Sequence, residues 1–182
     1  MMYRKPYLSF RLWAVTVMLL LPQGLFGVSP EKGRSVALGG IQSPKGVGFC
    51  ADFYRDATSF RSLALTADLI DILDGSASTP GVKMTYYLNM VFKDWSEGKY
   101  AFYAGPGLMA GYVRDLSNHL GFAGGVSGDV GFRALCLKGI TVSVEFQVDF
   151  ALQFKNRYTD MSLYRAGYTH SYLPHLRIQY SF

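Results

Sequence analysis

The stretch that decides the fold is ITVSVEFQVDFALQF, residues 140–154. Every second residue from Ile140 to Phe154 is apolar, and the residues between them are polar except for Ala151. A helix has 3.6 residues per turn and would scatter this apolar set around its axis, so the pattern predicts a β-strand with one apolar and one polar face. The predicted strand is also long beside the usual length of about 5–6 residues.

The same alternation recurs in the rest of the chain and predicts an all-β fold of eight strands. Residues 63–73 would also suit a short helix, and we favour a strand there because Leu63, Leu65, Ala67 and Leu69 lie on the face opposite Thr66 and Asp68. The other seven predicted strands are at about 35–42, 47–54, 63–69, 82–92, 100–112, 120–134 and 172–182.

The connections between these strands alternate in length. Residues 55–59, 93–99 and 138–139 form short turns, and Lys138-Gly139 fits a two-residue hairpin. The connections on the other side are mostly longer, above all Lys155–His170 and Ile70–Gly81. Hairpins that join neighbours in this way predict an antiparallel up-and-down β-barrel.

The first 27 residues have a different character. They combine Arg4, Lys5 and Arg11 with the apolar run Leu12–Leu21 and a small residue at Gly27. This order predicts a secretory signal peptide, residues 1–27, that is cleaved to leave a barrel domain of residues 28–182. The alternative is an uncleaved N-terminal anchor.

Removal of this segment changes the charge of the protein. The whole chain has 18 basic and 13 acidic residues, a formal net charge of +5, but three of the basic residues belong to residues 1–27. The remaining 15 basic and 13 acidic residues leave +2. We therefore expect no nucleic-acid partner, since such a partner calls for a basic patch or stripe.

The polar faces of the predicted strands carry charged side chains near the middle of the strands. An eight-stranded barrel has an interior just wide enough for side chains, so paired charges packed inside it would explain them. The apolar faces would then point outward, with aromatic residues near the strand ends, as in a barrel that faces lipid. A soluble lipocalin-like carrier, which turns its charges to water, remains an alternative. The charged residues concerned are Asp68, Lys83, Arg133, Glu145 and Asp149.

The last strand carries a resemblance to a known family. Leu176, Ile178, Tyr180 and Phe182 are apolar at alternate positions up to a final aromatic residue. This resembles the C-terminal signal of bacterial outer-membrane β-barrel proteins, which the barrel-assembly machinery reads. Residues 103–112 also resemble a strand common in small barrels of this kind.

The resemblance implies an eight-stranded antiparallel up-and-down transmembrane β-barrel in the outer membrane of a Gram-negative bacterium, with periplasmic termini. Its partners would be outer-membrane lipids and the barrel-assembly machinery. The outward loops, chiefly Lys155–His170 and Ile70–Gly81, would offer contact sites for an extracellular ligand. A structural or surface-interaction role is the function we expect.

The alternative activity is that of a lipid A-modifying enzyme, because some small outer-membrane barrels are deacylases or acyltransferases. Its catalytic residues would be His170, Ser171 and Glu145. However, adjacent strand residues point to opposite faces, so His170 and Ser171 are badly placed to meet. We expect no catalytic constellation, no cofactor and no metal site.

The two cysteines fall on the second and sixth predicted strands, on opposite sides of the barrel. A disulfide requires Cα atoms within about 7 Å. We therefore expect Cys50 and Cys136 to be free thiols, with Cys50 pointing inward and Cys136 outward.

Overall fold

The structure is a computed structural model, and it describes residues 36–56, 58–73, 75, 78–95, 99–116, 120–137, 139–155 and 161–182. The predicted signal peptide lies outside the described residues. These described residues form nine strands and two short helices. The strands are β1 Val36–Gln42, β2 Gly46–Tyr54, β3 Ser59–Asp68, β4 Gly81–Trp95, β5 Tyr100–Arg114, β6 Leu120–Leu137, β7 Ile140–Lys155, β8 Met161–Leu163 and β9 Pro174–Ser181, and the helices are α1 Ile70–Leu73 and α2 Arg165–Thr169.

Eight of the strands close into an antiparallel barrel, which confirms the predicted fold class. Each strand from β1 to β7 pairs with the next along the chain. The closing strand β9 pairs with β1, where Ala37 is opposite Ser181, and with β7, where Ile140 is opposite Tyr180. Every strand of the ring therefore has a neighbour on both sides.

The barrel has two different ends. At one end, which we call the hairpin end, lie the short turns after β2, β4 and β6 together with Val36 and Ser181. The turn after β6 has the two residues that the sequence predicted, and Gly139 adopts a φ of +85° that suits it. The opposite loop end carries the turn of residues 43–45 and the longer connections after β3, β5 and β7.

Two segments at the loop end differ from the sequence prediction. The strand expected over residues 63–69 runs from Ser59 to Asp68, and the residues after it form the helical turn α1. The connection 155–170 was expected to be an outward loop, yet it contains β8 and α2. Strand β8 pairs with β7 through Leu152 and Leu163.

Helix α2 takes the place of a strand in the barrel wall. Pairing between β7 and β9 stops at Phe146 opposite Pro174, and pairing between β7 and β8 begins at Leu152. The helix lies against the intervening part of β7, so closely that a Cβ on Gly167 would be 2.6 Å from the carbonyl oxygen of Asp149. Ala166 of the helix belongs to an apolar cluster with residues of β5, β6 and β7. The members of this cluster are Met109, Val113, Ala123, Ala151, Tyr164 and Ala166.

The barrel is polar inside and apolar outside. Its buried side chains include Glu145, Gln153, Gln179 and many others that carry charge or hydrogen-bonding groups. Every strand of the ring places large apolar side chains on the outside, and Phe49 reaches 79% exposure. Representative outward residues are Leu38, Phe49, Leu65, Met84, Leu108, Val126, Phe150 and Ile178. Among the described residues there is no helix both long and apolar enough to span a bilayer.

Both cysteines are free thiols, as predicted, and both are buried. Cys50 points inward and contacts the cluster formed by Ile41 and Ala64. Cys136 was expected to point outward but is covered, because the register between β6 and β7 shifts between Leu135 and Leu137. Such a bulge disturbs the regular alternation of faces.

Candidate functional site: the polar interior and a cavity at its loop end

A buried arginine organises the interior. Arg177 is only 1% exposed and lies on the inward side of β9 between the outward residues Leu176 and Ile178. Its Nη2 donates to Asp52 Oδ1 and to Ser62 Oγ, both at 2.8 Å, and its Nη1 donates to Glu145 Oε1. One guanidinium therefore joins β9 to β2, β3 and β7.

The carboxylate of Glu145 is itself held from two sides. The phenol of Tyr103 on β5 donates to the same Oε1 atom that accepts from Arg177. Two carboxylates thus face one guanidinium in the interior, and the charge that remains is spread over a hydrogen-bonded network. Such pairing is what permits burial of ions, because an unpaired buried charge is strongly unfavourable.

A second network lies nearer the loop end. Lys83 Nζ on β4 donates to Asp149 Oδ2 on β7 at 2.8 Å. The other carboxylate oxygen of Asp149 accepts from Ser127 Oγ on β6, which in turn is 2.8 Å from Tyr87 OH. Between the two networks, Asn89 Nδ2 donates to Asp129 Oδ2 at 3.1 Å. The interior is therefore filled by side chains that hydrogen-bond across the barrel.

A cavity of about 60 Å³ lies at the loop end of the barrel, next to the second network. The turn between β1 and β2 contributes Lys45 to it, the inner faces of the strands contribute Lys83, Asp149 and His175, and the end of α2 contributes His170. Around the cavity β1 is short, and α2 rather than a strand completes the wall beside β7.

His175 is the most unusual residue of this lining. It is 6% exposed, and its Nδ1 atom has no hydrogen-bond partner among the described residues. It lies on the inward side of β9, two residues before Arg177 and opposite Glu145 in the register with β7. Buried polar atoms are nearly always hydrogen-bonded in folded proteins, so this nitrogen is a candidate contact for a polar group of a ligand.

The structure does not bring the candidate catalytic residues together. His170 lines the cavity, but Ser171 Oγ donates to the carbonyl oxygen of Tyr168 at 2.8 Å. Glu145 is engaged by Arg177 and Tyr103. His119, the third histidine, lies outside the described residues. What the cavity does bring together is His170, His175 and Asp149.

The residues of the resembling C-terminal stretch lie on the outside of the barrel. Ile178, Tyr180 and Phe182 are exposed, and Leu176 is partly so, while Arg177, Gln179 and Ser181 between them are buried. The C-terminal resemblance concerns the outward set alone and does not include the inward residues. The signal for Arg177 and His175 was present, since both have the alternate spacing of an inward face.

Comparisons of this chain with models of protein families, with curated proteins and with solved structures find no match. Among the described residues, no group of three or more His, Cys, Asp or Glu side chains is arranged to hold a metal ion. The barrel, its two surfaces and its loop-end cavity are therefore the features from which a function can be inferred.

Proposed function

We propose that this protein is an outer-membrane β-barrel of a Gram-negative bacterium with a structural or surface-interaction role. The observation that carries the proposal is the distribution of polarity, which is apolar on the outside of the ring and polar on the inside. Backbone groups in a lipid core must all be paired, and a closed barrel achieves this without an edge.

The same observation favours this proposal over a soluble carrier. A lipocalin-like barrel that holds a small apolar ligand needs an apolar interior and a polar outer surface. Here the interior holds Arg177, Glu145, Lys83 and Asp149, and residues such as Phe49 and Leu108 lie on the outside. In water this outer surface would be a very large apolar patch, which monomeric soluble proteins rarely expose.

A passive role for the barrel interior agrees with its packing. Eight strands leave room for side chains and no wide aqueous channel. The hydrogen-bonded networks around Arg177 and Lys83 occupy that room. The proposed contacts outside the cell would be made by the loop end, with the hairpin end and the termini on the periplasmic side. The partners in this proposal are outer-membrane lipids, the barrel-assembly machinery and an extracellular ligand.

Cell fractionation and heat-modifiable gel migration test this proposal. The protein is expected in the outer-membrane fraction, with a folded band that shifts in mobility on boiling. Recovery of the folded chain in the soluble periplasm would contradict it. Mass analysis of lipid A from the same cells tests the enzyme alternative, which requires a changed lipid A mass that is lost in His170→Ala.

A further inference from the structure

The loop-end cavity has more hydrogen-bond donors than its own acceptors use. The ammonium of Lys83 has three N–H groups, and one of them is directed to Asp149. Lys45 Nζ donates to the carbonyl oxygen of Arg114 at 3.2 Å and is 3.7 Å from Asp68 Oδ2. Both lysines therefore keep donor capacity at the cavity that they line.

Each of the two carboxylates opposite them is paired with one of the lysines. Asp149 accepts from Lys83 with one oxygen and from Ser127 with the other. Asp68 Oδ2 faces Lys45. The buried His175 adds an imidazole nitrogen without a partner among the described residues. A ligand that suits the unused N–H groups of the two lysines brings acceptor oxygens.

The size of the cavity restricts the choice of ligand further. A cavity of about 60 Å³ accommodates on the order of four to six water-sized groups, since one such group requires roughly 10–15 Å³ on this measure. A phosphate has one phosphorus and four oxygens and is of this size. Lysine is a frequent phosphate ligand because its ammonium acts as a point charge with three donors.

We propose that the loop-end cavity is a binding site for a phosphate group, held by Lys83 and Lys45 with His175 and His170 beside them. Lys83 and Asp149 are fixed by the rigid strands β4 and β7, and His175 by β9. Helix α2 forms the remaining side and carries His170 at its end. The proposal goes beyond the barrel's proposed role and does not depend on where in the cell the barrel resides.

Two sources could provide this group, namely free inorganic phosphate and the phosphomonoester headgroup of a lipid. The probes are therefore inorganic phosphate and phosphatidic acid in mixed micelles, with diacylglycerol in the same micelles as the phosphate-free control. Phosphorus NMR of the purified chain in detergent measures the binding of both phosphate compounds. The imidazole resonances of the histidines report whether the ligand lies at the cavity.

The decisive variants are Lys83→Gln and the double variant Lys83→Gln/Asp149→Asn. The double variant removes the lysine without leaving Asp149 as an unpaired buried charge, so it keeps the test valid if the single variant fails to fold. The matched control is Lys93→Gln on the same strand, where the lysine lies over the ring of Trp95 near the hairpin end. Binding is expected to weaken at least ~10-fold in both Lys83 variants, as for loss of a charged hydrogen bond, and to be unchanged in Lys93→Gln.

Saturable binding of inorganic phosphate that shifts the imidazole resonances would support a site for the free ion. Saturable binding of phosphatidic acid but not diacylglycerol, with the same shifts, would support a headgroup site. The proposal is overturned if neither phosphate compound moves the imidazole resonances, or if the Lys83 variants bind as well as Lys93→Gln does.

Discussion

At the scale of single residues, the interior depends most on Arg177. Its guanidinium faces the carboxylates of Asp52 and Glu145, and Ser62 accepts a further hydrogen bond. An ion pair of this kind is not necessarily more stable than a well-packed apolar substitute. Removal of one partner is strongly destabilising, because the other charges then stay buried without compensation.

The variant Arg177→Met is expected to lower the free energy of unfolding by about 3–5 kcal/mol, since it leaves two buried carboxylates that have lost their cation. Urea unfolding of the refolded barrel in detergent measures this change. Arg61→Met is the matched control, because Arg61 is exposed on β3, and its effect should stay within about 0.5 kcal/mol. Equal destabilisation by the two variants would show that Arg177 has no special role.

At the scale of elements, helix α2 owes its position to contacts from distant parts of the chain. The amide of Ala166 in its first turn donates to Asp115 Oδ1 at 2.8 Å, and Arg165 Nε is 3.7 Å from Asp115 Oδ2. The amide of Tyr164, just before the helix, donates to the carbonyl oxygen of Ala151 at 2.8 Å. A helix of five residues is too short to be stable alone, so these contacts determine where it lies.

Replacement of Asp115 by alanine is therefore expected to loosen α2 and leave the barrel intact. The local cost should be about 0.5–2 kcal/mol, the range for loss of a helix-capping acceptor. Hydrogen exchange of residues 161–173 should accelerate while exchange of β4 and β5 stays unchanged. Asp94→Ala, at an exposed position on β4, is the control. Unchanged exchange of residues 161–173 in Asp115→Ala would mean that Asp115 does not hold the helix.

The long strands can be predicted from the sequence, whereas β8 and α2 cannot. A period of two identifies each long strand, because the alternation of Ile140–Phe154 and its counterparts is a local property. The fold class follows from it. Strand β8 has three residues and α2 five, too few for any period to be read. Strand β8 depends on its pairing with β7, and α2 depends on contacts with β7 and with Asp115.

The candidate site was harder to predict for the same reason. Inward positions can be deduced from alternation, and Asp149 and Glu145 were identified in that way. Which inward residues meet across the barrel depends on the register of all eight strands, which the sequence does not reveal. Arg177, Tyr103 and His175 belong to the networks and the cavity through that register alone.

At the scale of the whole molecule, the account requires that the outer surface of the ring contacts lipid. Leu108 lies near the middle of β5 and is 61% exposed. In a membrane, Leu108→Arg should destabilise the folded barrel by about 2–4 kcal/mol, the cost of arginine at the bilayer midplane. In a soluble protein the same exchange at an exposed position would be within about 0.5 kcal/mol.

The control for this prediction is Leu116→Arg. Leu116 is also an exposed leucine, but it follows β5 in the loop-end connection. Its substitution should change the free energy of unfolding from phospholipid vesicles little, since charge is tolerated near the interface. Equal effects of the two arginines would be evidence against a lipid-facing belt.

The most direct measurement is quenching of a single tryptophan by brominated lipid chains. In a chain of residues 28–182 with Trp95 replaced by Phe, one tryptophan is placed at position 108 and, in a second variant, at position 116. After insertion into vesicles, brominated acyl chains are expected to quench Leu108→Trp strongly and Leu116→Trp weakly. If Leu108→Trp is not quenched and emits as a water-exposed tryptophan, the outer surface of the barrel does not face lipid and the central claim is wrong.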